Sequence, residues 1–323
     1  MPNKDHHQTP IQRPPIYDMT DDMTDLRQRF FIQNSPVRGD VVRLKSSFAS
    51  IIAQKDYPEA IKRLLGEMLC ATSLLIGTLK INGRLSIQLQ SSDDNSLLNW
   101  AMAECDHQGH VRGLASWQSH TTEQQQAWKN KISANDAFAE LGEQGKGVLF
   151  INIHSEKGDV YQGIVERNHD NLADCLAHYQ HQSAQIPTLI SLSCDGLQAG
   201  GILVQMLPLN EQERLTAELG NDDDLWSRLS ILTGTIKDDE LTKLPANEIL
   251  YRLYNEEDLV MPNPVPLSFA CTCSYDKCEA GILQIGEQEA QAICQQQGVI
   301  TMDCGFCGAV YQFDKDDVSA LFA

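Results

Sequence analysis

Four cysteines near the C-terminus fall into two close pairs: Cys271 and Cys273 as C-T-C, then, after thirty intervening residues, Cys304 and Cys307 as C-G-F-C. Paired thiols at this spacing supply the tetrahedral sulfur set that zinc prefers. The spacing alone leaves more than one chemistry open. A bound zinc ion can be a passive staple for a small module, or Cys304 and Cys307 can be a thioredoxin-like redox pair. The second reading is the poorer, because such a pair follows an early strand and opens a helix. Here C-G-F-C sits between two strand-like segments, Val299–Asp303 and Ala309–Phe313, and Gly305 and Gly308 suit a tight turn between them.

The elements that must position these sulfurs belong to a small C-terminal domain, residues 267–323. Its length leaves little apolar surface to bury, so its fold is expected to depend on the metal, whose binding in small peptides is worth roughly 10–16 kcal/mol. Cys278 lies nearby, but four closer candidates already fill the tetrahedron. Cys294 falls in a helical run, Glu287–Gln297, and reads as a small buried hydrophobe, as do the singly scattered Cys70, Cys105, Cys175 and Cys194. His6, His7, His178 and His181 have no partner pattern around them.

Upstream, the pattern is α+β. Asp40–Leu44, Leu85–Leu89, Val148–Ile153 and Gly201–Leu207 read as strands, and Pro58–Leu79 and Leu172–Gln182 as helices, with turn signals at Asn82–Gly83 and Asp195–Gly196. Residues 1–17, rich in Pro, His and Gln, read as a disordered tail, and 18–209 as a large N-terminal α+β domain. Residues 210–266 read as an acidic helical linker. From Asn210 to Asp258 it holds thirteen Asp and Glu against five Lys and Arg, a net of −8. One helix is expected after Asp222–Asp224, with Leu225, Trp226, Leu229 and Leu232 on its apolar side. A second is expected after an Asn247 cap, carrying Ile249, Leu250 and Leu253. Three prolines in Met261–Pro266 mark a boundary.

Several function classes are disfavoured. A net charge of −19 on 323 residues, with no basic cluster, argues against nucleic acid as a partner. The apolar stretch Ala60–Ile81 carries Lys62, Arg63, Glu67 and Lys80, so it reads as a core helix and not a membrane span. With no secretory signal in the first residues, a cytoplasmic protein is expected, and ten cysteines there point to metal or redox chemistry before a disulfide framework. No P-loop, G-x-S-x-G or H-E-x-x-H signature occurs, and the chain does not read as an enzyme.

The C-T-C-S of 271–274 with the C-G-F-C of 304–307 resembles the 33 kDa chaperonins, a family of redox-regulated heat-shock holdases. The likeness extends through Val37–Arg38–Gly39, Tyr161–Gln162–Gly163–Ile164–Val165, Ala199–Gly200–Gly201–Ile202–Leu203 and Tyr251–Arg252–Leu253–Tyr254 ahead of Glu256–Glu257, and covers about Asp25 to Phe322. The tail before Asp18 has no counterpart.

This resemblance implies an ATP-independent chaperone that binds unfolding clients, idle when reduced and active after oxidation and partial unfolding. It implies zinc on Cys271, Cys273, Cys304 and Cys307, oxidation to Cys271–Cys273 and Cys304–Cys307 disulfides, and a homodimer in the oxidised form. Cys304–Cys307 is expected to bond first, because residues two apart on an extended strand span roughly 6.6–6.8 Å, the upper edge of disulfide reach. Release of the linker would then bare Leu225, Trp226, Leu229, Leu232, Leu250 and Tyr254 to hold clients; in the reduced state the same residues are expected to pack on the N-terminal domain. The competing reading is a constitutive interaction module that zinc merely staples.

Overall fold

The computed structural model describes residues 25–93, 95–142, 147–208 and 224–322. The tail of 1–17, with His6 and His7, lies outside them, as does 209–223, the first part of the acidic segment.

Two six-stranded sheets face each other. The first has β1 (Leu26–Ile32), β2 (Val37–Leu44), β8 (Thr188–Cys194) and β9 (Ala199–Met206) in the order β1-β2-β9-β8. Two short pieces, β10 (Leu259–Val260) and β11 (Val265–Pro266), both pair with β1. The second runs β12-β5-β4-β3-β6-β7, built from β3 (Gly83–Gln90), β4 (Leu98–Asp106), β5 (His110–Trp117), β6 (Val148–Ser155), β7 (Val160–Glu166) and β12 (Ser268–Phe269). Helices α1 (Ser46–Ile52), α3 (Thr122–Lys129), α4 (Ala134–Ala139) and α5 (Leu172–Ser183) flank them. The α+β class and the strands and helices read from periodicity are all present, within a few residues of the expected bounds.

Helix α2 (Glu59–Thr78) lies between the sheets. It is apolar nearly all round, which suits only a helix buried on every side: Ile61, Leu64, Leu65, Met68, Leu69 and Leu74 are fully buried. Its last turn carries no basic residue. Guanidiniums reach in from the first sheet instead, Arg29 donating to the Gly77 carbonyl and Arg38 to that of Thr78, and so answer the negative helix end. Asp40, fully buried, holds Arg29 in place at 2.9 Å.

The outer face of the first sheet is covered by α6 (Leu225–Thr233), α7 (Asp238–Lys243) and α8 (Ala246–Tyr254). Leu225, Leu229, Leu250 and Tyr254 are buried and Trp226 and Leu232 partly buried, in one cluster with Leu26, Phe30, Ile32, Val37, Val41, Ile202 and Val204. Tyr254 stacks 5.6 Å from Phe30 and shares a 2.6 Å hydrogen bond with Thr233. Gly200 makes the close approach possible. A Cβ there would lie 2.0 Å from the Leu241 carbonyl oxygen of α7. Two details depart from the sequence reading. Pro245, not Asn247, stands at the cap of α8, which leaves Asn247 Oδ1 buried and unpartnered in the first turn. Helix α7 was not expected at all.

Beyond the linker come α9 (Tyr275–Ile285), α10 (Glu287–Gln297), the hairpin of β13 (Ile300–Asp303) and β14 (Val310–Phe313), and α11 (Lys315–Leu321). Their core is Ile282, Ala290, Cys294, Ile300, Phe313 and Val318. Among the described residues no helix is long and apolar enough to cross a membrane.

Candidate metal centre

The turn between β13 and β14 carries Cys304 and Cys307. The backbone closes it with Gly308 N–H to the Cys304 carbonyl and Cys304 N–H to that of Ala309, both 2.8 Å. Gly308 takes φ +67°, a conformation open to glycine at little cost. Cys271 and Cys273 stand just before α9, whose first turn is capped by the Ser274 side chain. The positive end of that helix lies beside them, which favours thiolate.

The fold brings all four sulfurs within 4.8 Å of one another. Cys271 and Cys304 are 3.5 Å apart and Cys273 and Cys307 3.4 Å. Four sulfurs at 2.3 Å from a central ion would be spaced by about 3.8 Å, so the set fits a tetrahedral cation with little adjustment. All-sulfur ligation suits zinc or iron and excludes magnesium and calcium. Among the described residues no other group of His, Cys, Asp or Glu is gathered closely enough to hold a metal ion. The shortest sulfur contacts join one pair to the other, so proximity in this closed form does not itself select C-x-C and C-x-x-C disulfides. Cys271 and Cys273 lie in an irregular segment, not on a strand, so the spacing argument for the order of oxidation does not apply here.

The thiols are unequal. The Tyr311 hydroxyl donates to Cys273 Sγ at 3.0 Å and brings that thiol down to about 7. Burial pushes Cys307 up to about 12 and raises Cys271 as well. Four touching thiols cannot all ionise unaided, and a divalent cation is what draws such a set down together. Tyr311 is itself held by Tyr275, ring to ring at 5.1 Å. Sequence reasoning missed Tyr311; its one signal was its place four residues past Cys307 on the outgoing strand.

The centre is fastened to the second sheet. Arg112 of β5 pairs with Glu104 at 2.7 Å, donates to Thr272 Oγ1 at 3.0 Å, and lies 4.4 Å from the centre of the Phe306 ring between the two later cysteines. Nothing local in the sequence marks Arg112, which meets Thr272 across 160 positions. Cys70, Cys105, Cys175, Cys194 and Cys294 are buried as small hydrophobes, while Cys278 is only partly buried and outside the four-sulfur group. Leu225, Trp226, Leu229, Leu232, Leu250 and Tyr254 sit away from the sulfurs, on the cover of the first sheet.

A profile of the Hsp33 protein family matches residues 25–314. The 33 kDa chaperonin of Shewanella frigidimarina is 38% identical over 299 residues, 93% of this chain and 96% of its own. That of Shewanella denitrificans is also 38% identical, over 93% and 95% of the two chains. The crystal structure of the 33 kDa chaperonin from Thermotoga maritima superposes with a TM-score of 0.71 over 92% of this chain and 97% of that one, at 18% identity, a likeness of fold. Family profile, relatives and cysteine cluster agree, and the chain belongs to the Hsp33 family of chaperones.

Proposed function

We propose that the protein is an ATP-independent holdase of the cytoplasm whose client-binding surface is masked by a zinc-held lock and bared by oxidation. In this reading Cys271, Cys273, Cys304 and Cys307 hold zinc within a C-terminal domain of 267–323. The linker of 210–266 is the cover over the core of 18–209. The observation that carries the reading is one of continuity. The helices that hide the outer face of the first sheet lead directly, through a short extended segment, into Cys271.

Zinc, when bound, keeps all four sulfurs as thiolates and supplies the energy that folds the module. Peroxide accepts two electrons from a thiolate pair. The sulfurs join as a disulfide, the O–O bond breaks, and with two protons the oxygens leave as water. Losing ligands at Cys304–Cys307 and at Cys271–Cys273, the module releases the ion and unfolds. The linker then loses its anchor, and both sides of its interface open: Leu225, Trp226, Leu229, Leu232, Leu250 and Tyr254 on the helices, and Phe30, Val41 and Ile202 on the sheet. A net charge of −19 keeps so apolar a species soluble and turns nucleic acid away, and the oxidised form pairs as a homodimer.

Light scattering from a thermally unfolding client tests this. Reduced protein should not suppress aggregation, whereas peroxide-plus-heat-treated protein should, with zinc released in step. Replacing Leu225, Trp226 and Leu229 with Ser should raise the protein needed for half-suppression roughly tenfold, equivalent to about 1.4 kcal/mol. Unchanged suppression would remove those residues from the client surface. Equal activity before and after peroxide would instead favour a constitutive module that zinc only staples.

Tyr311 should matter to the metal. Tyr311→Phe is expected to weaken zinc binding roughly tenfold to a hundredfold, the usual cost of losing a partner behind a ligand, as read by competition with a chromogenic chelator. Unaltered affinity would show that its bond to Cys273 is incidental.

A further inference from the structure

The segment of residues 258–270 is seated along two sheet edges at once. The Gln33 N–H donates to the Asp258 carbonyl at 2.8 Å, Leu259 and Val260 pair with Ile32 and Phe31, and Gln28 Nε2 donates to the Pro262 carbonyl at 2.7 Å. Val265 and Pro266 pair with Arg27 and Leu26. The chain then crosses to the other sheet. Ser268 N–H reaches the Gly109 carbonyl at 3.0 Å, Ser268 and Phe269 lie beside His110 and Val111, and Ala270 N–H reaches the Val111 carbonyl at 3.3 Å. Two residues later stands Thr272, bonded to Arg112 between the first cysteines.

This strap is a poor strand on a good edge. Pro262, Pro264 and Pro266 have no N–H to give, and the three pieces that pair are only two residues long each. Edges covered by proline are a recognised device against unwanted strand pairing. The side chains, however, follow strand alternation: Leu259 and Met261 turn inward, packed on the outer cluster of the first sheet, with Val260 exposed between them. Leu267 is buried in the central core and Phe269 packs against it, with Ser268 exposed between. The seat is thus an imprint of an extended chain with apolar residues at every second position.

We propose that the edges of β1 and β5 are the docking site for an extended apolar segment of an unfolding client, taken up as an added strand in place of the strap. The inference rests on the oxidation-gated reading above and adds how the client is held. The strap pairs in three pieces of two residues each, so a client segment able to run on as a continuous strand forms more of the ladder than the occupant it replaces, and its alternate side chains fill the places of Leu267 and Phe269. Backbone recognition also accounts for binding many sequences, since every client offers the same N–H and C=O groups.

Hydrogen exchange with mass spectrometry on the oxidised full chain, with and without reduced and carboxymethylated α-lactalbumin as a permanently unfolded client, tests the proposal. Suppression of aggregation is read in the same samples. Oxidation should speed exchange in peptides covering 26–33 and 109–117, and the client should slow it again by about tenfold. A synthetic peptide of residues 258–270 added in trans should displace the client, and a proline-free peptide of the same length with apolar residues at every second position, able to pair along the whole edge, should displace it at lower concentration. Client held while both edges keep their oxidised exchange rates would overturn the proposal and leave the holdase reading standing. So would protection confined to β7, the far edge of the second sheet, where Val160, Tyr161 and Ile164 are already exposed. If the oxidised chain holds no client at all, the holdase reading and this proposal fall together.

Discussion

Stripping zinc from the reduced protein with a strong chelator should unfold the C-terminal module and leave both large sheets intact. Among the described residues the module's own core cluster has six buried members, and three of them, Ala290, Cys294 and Val318, have side chains no larger than valine's. The metal–sulfur bonds are worth roughly 10–16 kcal/mol in comparable peptides. That is as much as the whole stability of an ordinary domain, about 5–15 kcal/mol, so so slight a core cannot replace them. The expected signature is loss of the helical signal from α9, α10 and α11, with amide protection lost in Ile300–Phe313 and kept in β2 and β9. A chelated protein whose β13–β14 hairpin stays protected would show that side-chain packing alone holds the module. Cys304→Ser should reproduce the chelated state without chelator, because three thiolates and a hydroxyl no longer satisfy the tetrahedral site.

The second large effect is expected at Gly200, far from the cysteines. An alanine Cβ there would fall 2.0 Å from Leu241 O and 2.6 Å from Leu241 C, both backbone atoms of α7. Neither can swing aside as a side chain would, so the helix must lift from the sheet. Overpacking of this kind costs about 1–3 kcal/mol, and here the cost falls on the docked linker alone. Gly200→Ala should therefore suppress client aggregation while still reduced and zinc-loaded, and should expose amides of α7 and α8 to exchange. Gly281→Ala serves as the control, since its Cβ would meet only Met302 Cε at 3.5 Å, an ordinary contact. If reduced Gly200→Ala stays inert with its linker amides protected, displacement of the cover is not what activates the protein.

How legible this was in the residues depends on whether the controlling interactions are local. The cysteine set could be read because two short spacings define it, and α2 because a helix apolar nearly all round, charged only in its first half, admits one placement. Strands β2, β3, β6 and β9 showed in their alternation or apolar runs, whereas β1, β4, β5, β7 and β8 were not picked out. Helix α7 did not, because Asp238–Lys243 is short and polar and forms only where Leu241 meets the sheet. Asn247 misled because asparagine is a common cap, whereas Pro245 two residues earlier already sets the backbone for a helix start. The prolines of 261–266 read as a boundary, which hid the pairing of Val265 and Pro266 with Arg27 and Leu26 on a strand more than 230 positions away. Arg112 and Phe306 likewise meet only in three dimensions.

The cover, the strap and the sulfurs lie on one uninterrupted chain, and that sets how the protein lets go. A displaced strap stays tethered to the core, at an effective concentration on the order of millimolar for a short flexible connection. On the proposed seat any client is thus in rivalry with a ligand that never diffuses away. In the proposed oxidised state the rival pairs only in three pieces of two residues each; once the thiols are reduced and the metal returns, refolding should pin it back beside β5 and turn the rivalry. On the proposed mechanism discharge should follow the return of thiol and metal without added nucleotide. Its speed should be independent of how dilute the chaperone is, a first-order handover set by the return of thiol and metal.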